Sequence, residues 1–148
     1  MLHVTNISCG KLKEKYLRDA ASEYKKRLSG YVLLTERELS DGPDMYAEAE
    51  RIKKALPEGA FIITLEIEGE EYTSEGFSDK LRELMNEGIS HICFIIGGSD
   101  GLAEEIKDRA KLHVSFSKMT FPHQLMRVIL LEQTYRAFKI MKGEPYHK

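Results

Sequence analysis

Phe94-Ile95-Ile96-Gly97-Gly98-Ser99-Asp100-Gly101-Leu102 decides the fold, and Ser115-Phe116-Ser117-Lys118-Met119-Thr120-Phe121-Pro122-His123-Gln124 repeats its logic further on. In the first, an apolar strand runs straight into a cluster of glycines. In the second, a strand runs into a compact loop closed by Pro122, and the longest helix pattern of the chain, Gln124 to Lys142, follows. In parallel α/β sheets ligands bind beyond the carboxyl ends of the strands, where loops and helix N-termini gather. Two consecutive strand ends carrying unusual loops therefore point to a nucleotide-like pocket.

The same alternation of strand and helix holds along the whole chain. Leu2 to Ser8 alternates apolar and polar residues and reads as a first strand ending at Cys9-Gly10. Lys13 to Ser29 is a helix, with Gly30 in the position after the C-cap that glycine favours. Val32 to Glu38 is a second strand, and a helix from Met45 to Leu56 follows a turn-rich stretch. Ala60 to Leu65 is a continuous apolar run, as a central strand covered on both faces requires. Glu66 to Glu71 reads as an acidic loop, Thr73 to Asn86 as a helix and Ile89 to Ile96 as a second central strand. A short helix over 103–110, a short strand over 112–116 and the final helix complete an α/β chain with a mainly parallel sheet and one domain over residues 1–148.

Bulk properties narrow the class. The 42% apolar content fits a globular chain, and the longest apolar runs are too short to span a bilayer. The N-terminus lacks a basic segment with a small-residue cleavage site, and Cys9 and Cys93 form no framework and no metal-ligand spacing, so a reduced cytoplasmic protein is expected. Net charge is −2, yet unevenly placed: residues 11–27 carry +4, residues 36–75 carry −8 and residues 117–148 carry +4. Such charge reads as ordinary solvation or, if the two basic ends meet, as a phosphate-binding face.

The glycines follow G-G-x-x-G on a late strand, not the G-x-G-x-x-G of a dinucleotide fold, and no P-loop is present. They are either turn residues or the wall of a site. The loop over 116–121 is likewise either a connection or a backbone wrap for an adenine, with Pro122 suited to the first helical position. The final helix carries two apolar stripes. One holds Leu125, Val128, Leu131, Tyr135, Phe138 and Met141; the other holds Met126, Ile129, Leu130, Ala137 and Ile140. A helix apolar on more than one side is central or shared, which leads to a homodimer through it. His123 and Arg127, at i,i+4, share a face beside the pocket, while Glu132 and Arg136 read as a surface pair. His3, His91 and His113 fall in strand patterns and read as structural.

Together these pieces, with Arg127-Val128-Ile129-Leu130-Leu131-Glu132-Gln133-Thr134-Tyr135-Arg136-Ala137, Pro145-Tyr146-His147-Lys148 and the opening Gly10-Lys11-Leu12-Lys13-Glu14-Lys15-Tyr16, resemble the RlmH family over the whole chain. These are small SPOUT-class methyltransferases acting on N3 of a pseudouridine in the helix 69 loop of large-subunit (23S) rRNA. The resemblance implies a C-terminal trefoil knot, S-adenosylmethionine bound in it without a metal, a homodimer, and action on the assembled ribosome. Carried over by position, the cofactor contacts are Leu65, Gly97, Phe116, Ser117, Lys118, Met119, Thr120 and Phe121. His123, Arg136, Tyr146 and His147 match positions serving the target nucleotide, with His123 or His147 as base and Arg127 or Arg136 stabilising an anion. Lys11, Lys13 and Lys148 are the RNA contacts; Lys148 stands where some relatives have arginine and so lacks a bidentate fork. A non-catalytic ribosome- or RNA-binding module is the competing class.

Overall fold

The computed structural model describes residues 1–147, so Lys148 lies outside it. Ten elements alternate: β1 (Leu2–Cys9), α1 (Lys15–Leu28), β2 (Val32–Leu39), α2 (Met45–Ala55), β3 (Phe61–Glu71), α3 (Ser74–Asn86), β4 (His91–Ile96), α4 (Glu104–Lys107), β5 (Leu112–Ser115) and α5 (His123–Met141). The strands form one sheet in the order β2-β1-β4-β3-β5, and every pairing is parallel. All five carboxyl ends therefore lie along one edge.

Side-chain alternation assigns the two faces. On β4, Ile92, Phe94 and Ile96 join the larger core beneath α1, α3 and α5. Cys93 and Ile95 point the other way, into a smaller core with Ala49 and Ile52 of α2 and Ile106 of α4. Burial on both faces is what the unbroken apolar runs require. Local chemistry sets the helix starts: Asp44 accepts from the backbone N–H of Tyr46 and Ala47, and Thr73 from that of Gly76 at 2.9 Å. No described helix is long and apolar enough to cross a membrane.

Three sequence expectations are corrected. The acidic segment after Leu65 is not a free loop: β3 runs on to Glu71, its register against β5 slipping between Leu65 and Glu70, so residues 66–69 bulge out. Gly69 makes this possible, because a Cβ there would lie 2.8 Å from the backbone of His113 and Val114. Gly30 follows the C-cap Ser29 of α1 as expected, though without a left-handed turn; Gly88 and Gly143, with φ of 96° and 65°, make that turn after α3 and α5. The short helix expected over 103–110 contracts to a single turn. Pro122 sits at the N-cap of α5, one residue ahead of the first helical position.

The two apolar stripes of the final helix also resolve. Leu130, Leu131, Tyr135, Ala137 and Phe138 of α5 are buried in the chain's own core, against α1 and α3. Apolar surface left on α5 comes from Leu125, 37% exposed, and the half-buried Met126, Ile129, Ile140 and Met141, of which the two methionines pack against the core.

Candidate active site

Three neighbouring strands, β4, β3 and β5, meet at the same edge, where the bulge of β3 and the segments leaving β4 and β5 enclose a cavity of about 620 Å³. That volume suits a nucleoside-sized ligand. Leu65 to Glu68 form one wall, Ile96 to Ser99 with Gly101 and Leu102 a second, and the loop over 116–122 the third. His123 and Met126, in the first turn of α5, close it from below. Gly97 is demanded by close packing: a Cβ would lie 2.7 Å from the carbonyl carbon and oxygen of Gly101. Gly101, with φ of 83°, turns the chain back so that its N–H donates to the Gly98 carbonyl at 3.0 Å.

The third wall is held by its own serines. Ser115 Oγ donates to the Ser117 carbonyl, and the Met119 N–H donates to Ser117 Oγ, each at 2.9 Å. Phe116 stands edge-on to Phe77 of α3, with ring centres 5.7 Å apart, which anchors the loop to the core. Met119 is left 76% exposed at the rim. Of the expected cofactor residues, all but Lys118 line the cavity; Lys118 extends outward, its Nζ 3.7 Å from Glu71.

Glu66, unnoticed as a site residue in the sequence, lies in this wall with Lys107. Its Oε2 accepts from Thr64 Oγ1 and lies 2.5 Å from His113 Nδ1, while Lys107 Nζ is 3.6 Å from Oε1. Burial works to raise its pKa, but hydrogen bonds from Thr64 and His113 outweigh burial and hold it below the ordinary carboxylate value. The usable sequence signal was a carboxylate following a buried strand directly.

The expected catalytic residues fall in three places. His123 lines the cavity. Arg127, one turn along, does not: it is buried, and its NH1 donates to the Gly10 carbonyl at 3.2 Å and to Glu38 Oε2 at 2.8 Å. It fastens α5 to the ends of β1 and β2. Arg136, Tyr146 and His147 gather away from the cavity. Arg136 Nε donates to Glu132 Oε1 at 2.9 Å, its NH1 is 3.0 Å from His147 Nδ1, and its guanidinium lies 4.7 Å from the Tyr146 ring centre. The Glu132–Arg136 pair is thus a half-buried organiser of the tail, not the surface pair the spacing implied. Tyr146 also donates to Glu132 at 3.2 Å, and burial, helped by Tyr24 and Glu132, pushes its phenol up to about 12, so it stays a donor at neutral pH. Lys11 and Lys13 are exposed beside α5, where the Lys13 N–H donates to Gln124 Oε1 at 3.0 Å. Among the described residues no group of three or more His, Cys, Asp or Glu is placed to hold a metal ion.

Residues 2–147 match the family described as "Predicted SPOUT methyltransferase". The chain belongs to the SPOUT methyltransferase family. Its similarity to individual SPOUT relatives is end to end. It is 53% identical to the ribosomal RNA large subunit methyltransferase H of Bifidobacterium adolescentis, over 99% of this chain and 100% of that one. A Methanococcus maripaludis relative is 52% identical over the same shares. Among solved structures, a probable methylase family protein from Haemophilus influenzae superposes with a TM-score of 0.58 at 11% identity, covering 99% of this chain and 70% of that one. At that identity the likeness speaks for the fold alone.

Proposed function

We propose that this protein transfers a methyl group from S-adenosylmethionine to N3 of a pseudouridine in the helix 69 loop of large-subunit rRNA, on the assembled ribosome and as a homodimer. The carrying observation is the cavity at the β3, β4 and β5 ends, in a chain about half identical, end to end, to a named rRNA large subunit methyltransferase. The cavity fits the cofactor: Leu65, Ile96, Leu102, Phe116 and Met126 offer apolar walls for an adenine, and the loop over 116–121 offers backbone polar groups beside them. A trefoil knot in the C-terminal segment belongs to this reading, as does a cytoplasmic location beside the ribosome.

When bound, the cofactor supplies an electrophilic methyl group on a cationic sulfur. The chain's task is then to align the attacking nitrogen and to take its proton, since the N3–H of pseudouridine is an imide and must ionise. His123 is the histidine at the cavity and the better placed base. Arg136 carries five N–H donors, of which three are engaged by Glu132 and His147 among the described residues. One N–H on each terminal nitrogen remains for a phosphate or the nucleobase anion. Tyr146 offers a ring for an unstacked base. Because this cluster does not reach its own cavity, a symmetric pairing across the Leu125–Ile129 face of α5 completes each site with the second copy's tail.

The test is incubation with labelled S-adenosylmethionine and ribosomes lacking the methyl group, followed by reverse transcription. N3 methylation blocks Watson–Crick pairing, so a new stop at the pseudouridine is expected. Cofactor binding without label transfer or stop would refute the substrate; no cofactor binding would favour the plain binding module.

A further inference from the structure

We infer that Glu75 is a positioning residue that fixes the tautomer of His147 and, through it, the orientation of the Arg136 guanidinium. This rests on the reading of Arg136 as an anion-binding group of the methyl transfer. Glu75 lies in the first turn of α3, far in sequence from the tail, and its Oε1 is 2.9 Å from His147 Nε2. On the other side of the same ring, Nδ1 is 3.0 Å from Arg136 NH1.

The chemistry of the partners decides the proton. A carboxylate only accepts and a guanidinium only donates, so Glu75 holds the ring proton on Nε2 and leaves Nδ1 bare to accept from Arg136. The remaining ring proton of neutral His147 therefore sits on Nε2 and donates to the Glu75 carboxylate. Both ring nitrogens are then engaged. The ring is a rigid spacer between α3 and α5: pulled from one side by a carboxylate, it presents a lone pair to Arg136 on the other. Protonation of Nδ1 would turn that lone pair into a second donor and expel the guanidinium.

Two consequences follow. His147 acts through Arg136 and does not take the substrate proton, which leaves that step to His123. Glu75, with its side chain 62% exposed, affects the reaction while touching neither cofactor nor substrate. Arg136 is meanwhile gripped by Glu132 along its Nε side and faced by Tyr146. The His147 contact is the third restraint on the guanidinium, and without it the free donors lose their fixed direction. Neighbouring Ser74 donates to Gln133 Oε1 of α5 at 2.9 Å, so the α3–α5 seam itself stays closed when Glu75 is changed.

The experiment uses full-length protein labelled with ¹⁵N, with the His147 ring assigned by difference against His147→Gln. Long-range ¹H–¹⁵N correlation is expected to show the Nε2–H tautomer in wild type and a tautomer average in Glu75→Ala. Glu75→Gln, which loses the charge but keeps an accepting oxygen, should retain the tautomer. Single-turnover methylation of ribosomes should fall about tenfold or more in Glu75→Ala, as misorientation of a catalytic group does, and recover largely in Glu75→Gln. Cofactor affinity by calorimetry should be equal in all three. An Nδ1–H tautomer in wild type, an unaltered tautomer in Glu75→Ala, or an undiminished rate in that variant would overturn the inference. Wild-type protein showing the expected tautomer while methylating no ribosome would refute the substrate reading and leave the clamp supported.

Discussion

Glu66 and Gly97 show how much single residues settle at the cavity. The Glu66 carboxylate is held below its ordinary value of 4.5, burial being outweighed by Thr64 and His113. A depressed carboxylate contributes stability above its unfolded pKa and loses it as pH falls through the folded one. Wild type should therefore melt above Glu66→Gln by a constant margin above pH 4.5, and the margin should shrink at more acid pH. A margin that widened in acid would contradict the hydrogen-bonding account. At Gly97 the obstacle is the Gly101 carbonyl, 2.7 Å from any added Cβ, so Gly97→Ala must displace the loop. Calorimetry should show S-adenosylmethionine affinity reduced tenfold or more; unchanged affinity would detach the glycine loop from the cofactor. The glycines and the loop over 116–121 were legible in the sequence because runs of special backbone residues mark themselves. Glu66 and Glu75 were not, since a carboxylate in an acidic stretch looks like solvation until its partner, distant in sequence, is seen beside it.

Helix α5 shows where periodicity stops informing. Its two apolar stripes were visible, but spacing cannot say whether the cover is the same chain or another. Much of both stripes is filled from within, by α1 and α3. Leu131, fully buried, should cost about 2–5 kcal/mol on change to alanine, measured by denaturant unfolding. On the proposed dimer the pairing surface is Leu125 and Ile129, and Leu125→Glu should yield a folded monomer by sedimentation, with methylation lost. A folded, fully active monomer would remove the composite site. His123 and Arg127 illustrate the same limit: neighbours on one face, yet one turn of rise carries Arg127 from the cavity to the ends of β1 and β2, where Glu38 holds it.

For the molecule as a whole, the alternation of strand and helix was readable, whereas the order β2-β1-β4-β3-β5 was not, because it depends on pairings between distant segments. The structure does bring the two basic ends together: Lys13 bonds Gln124, and Tyr24 packs beside Tyr135 at 6.5 Å between ring centres. If this face meets rRNA phosphates, Lys11→Ala and Lys13→Ala should each lower the salt-dependence slope of ribosome binding by about 1, with site choice unchanged. Unaltered slopes would return these lysines to plain solvation. The interior place of β1 carries a consequence for the chain's birth. It precedes the strand that completes its second edge, β4, which begins only at His91, and the helix packed against β4, α5, follows later still. A nascent chain thus carries an open strand edge until β4 has been made. Commitment to the fold thus waits for α5, so a chain truncated anywhere before α5 should yield an aggregate or a chaperone client, with no smaller working version of the fold.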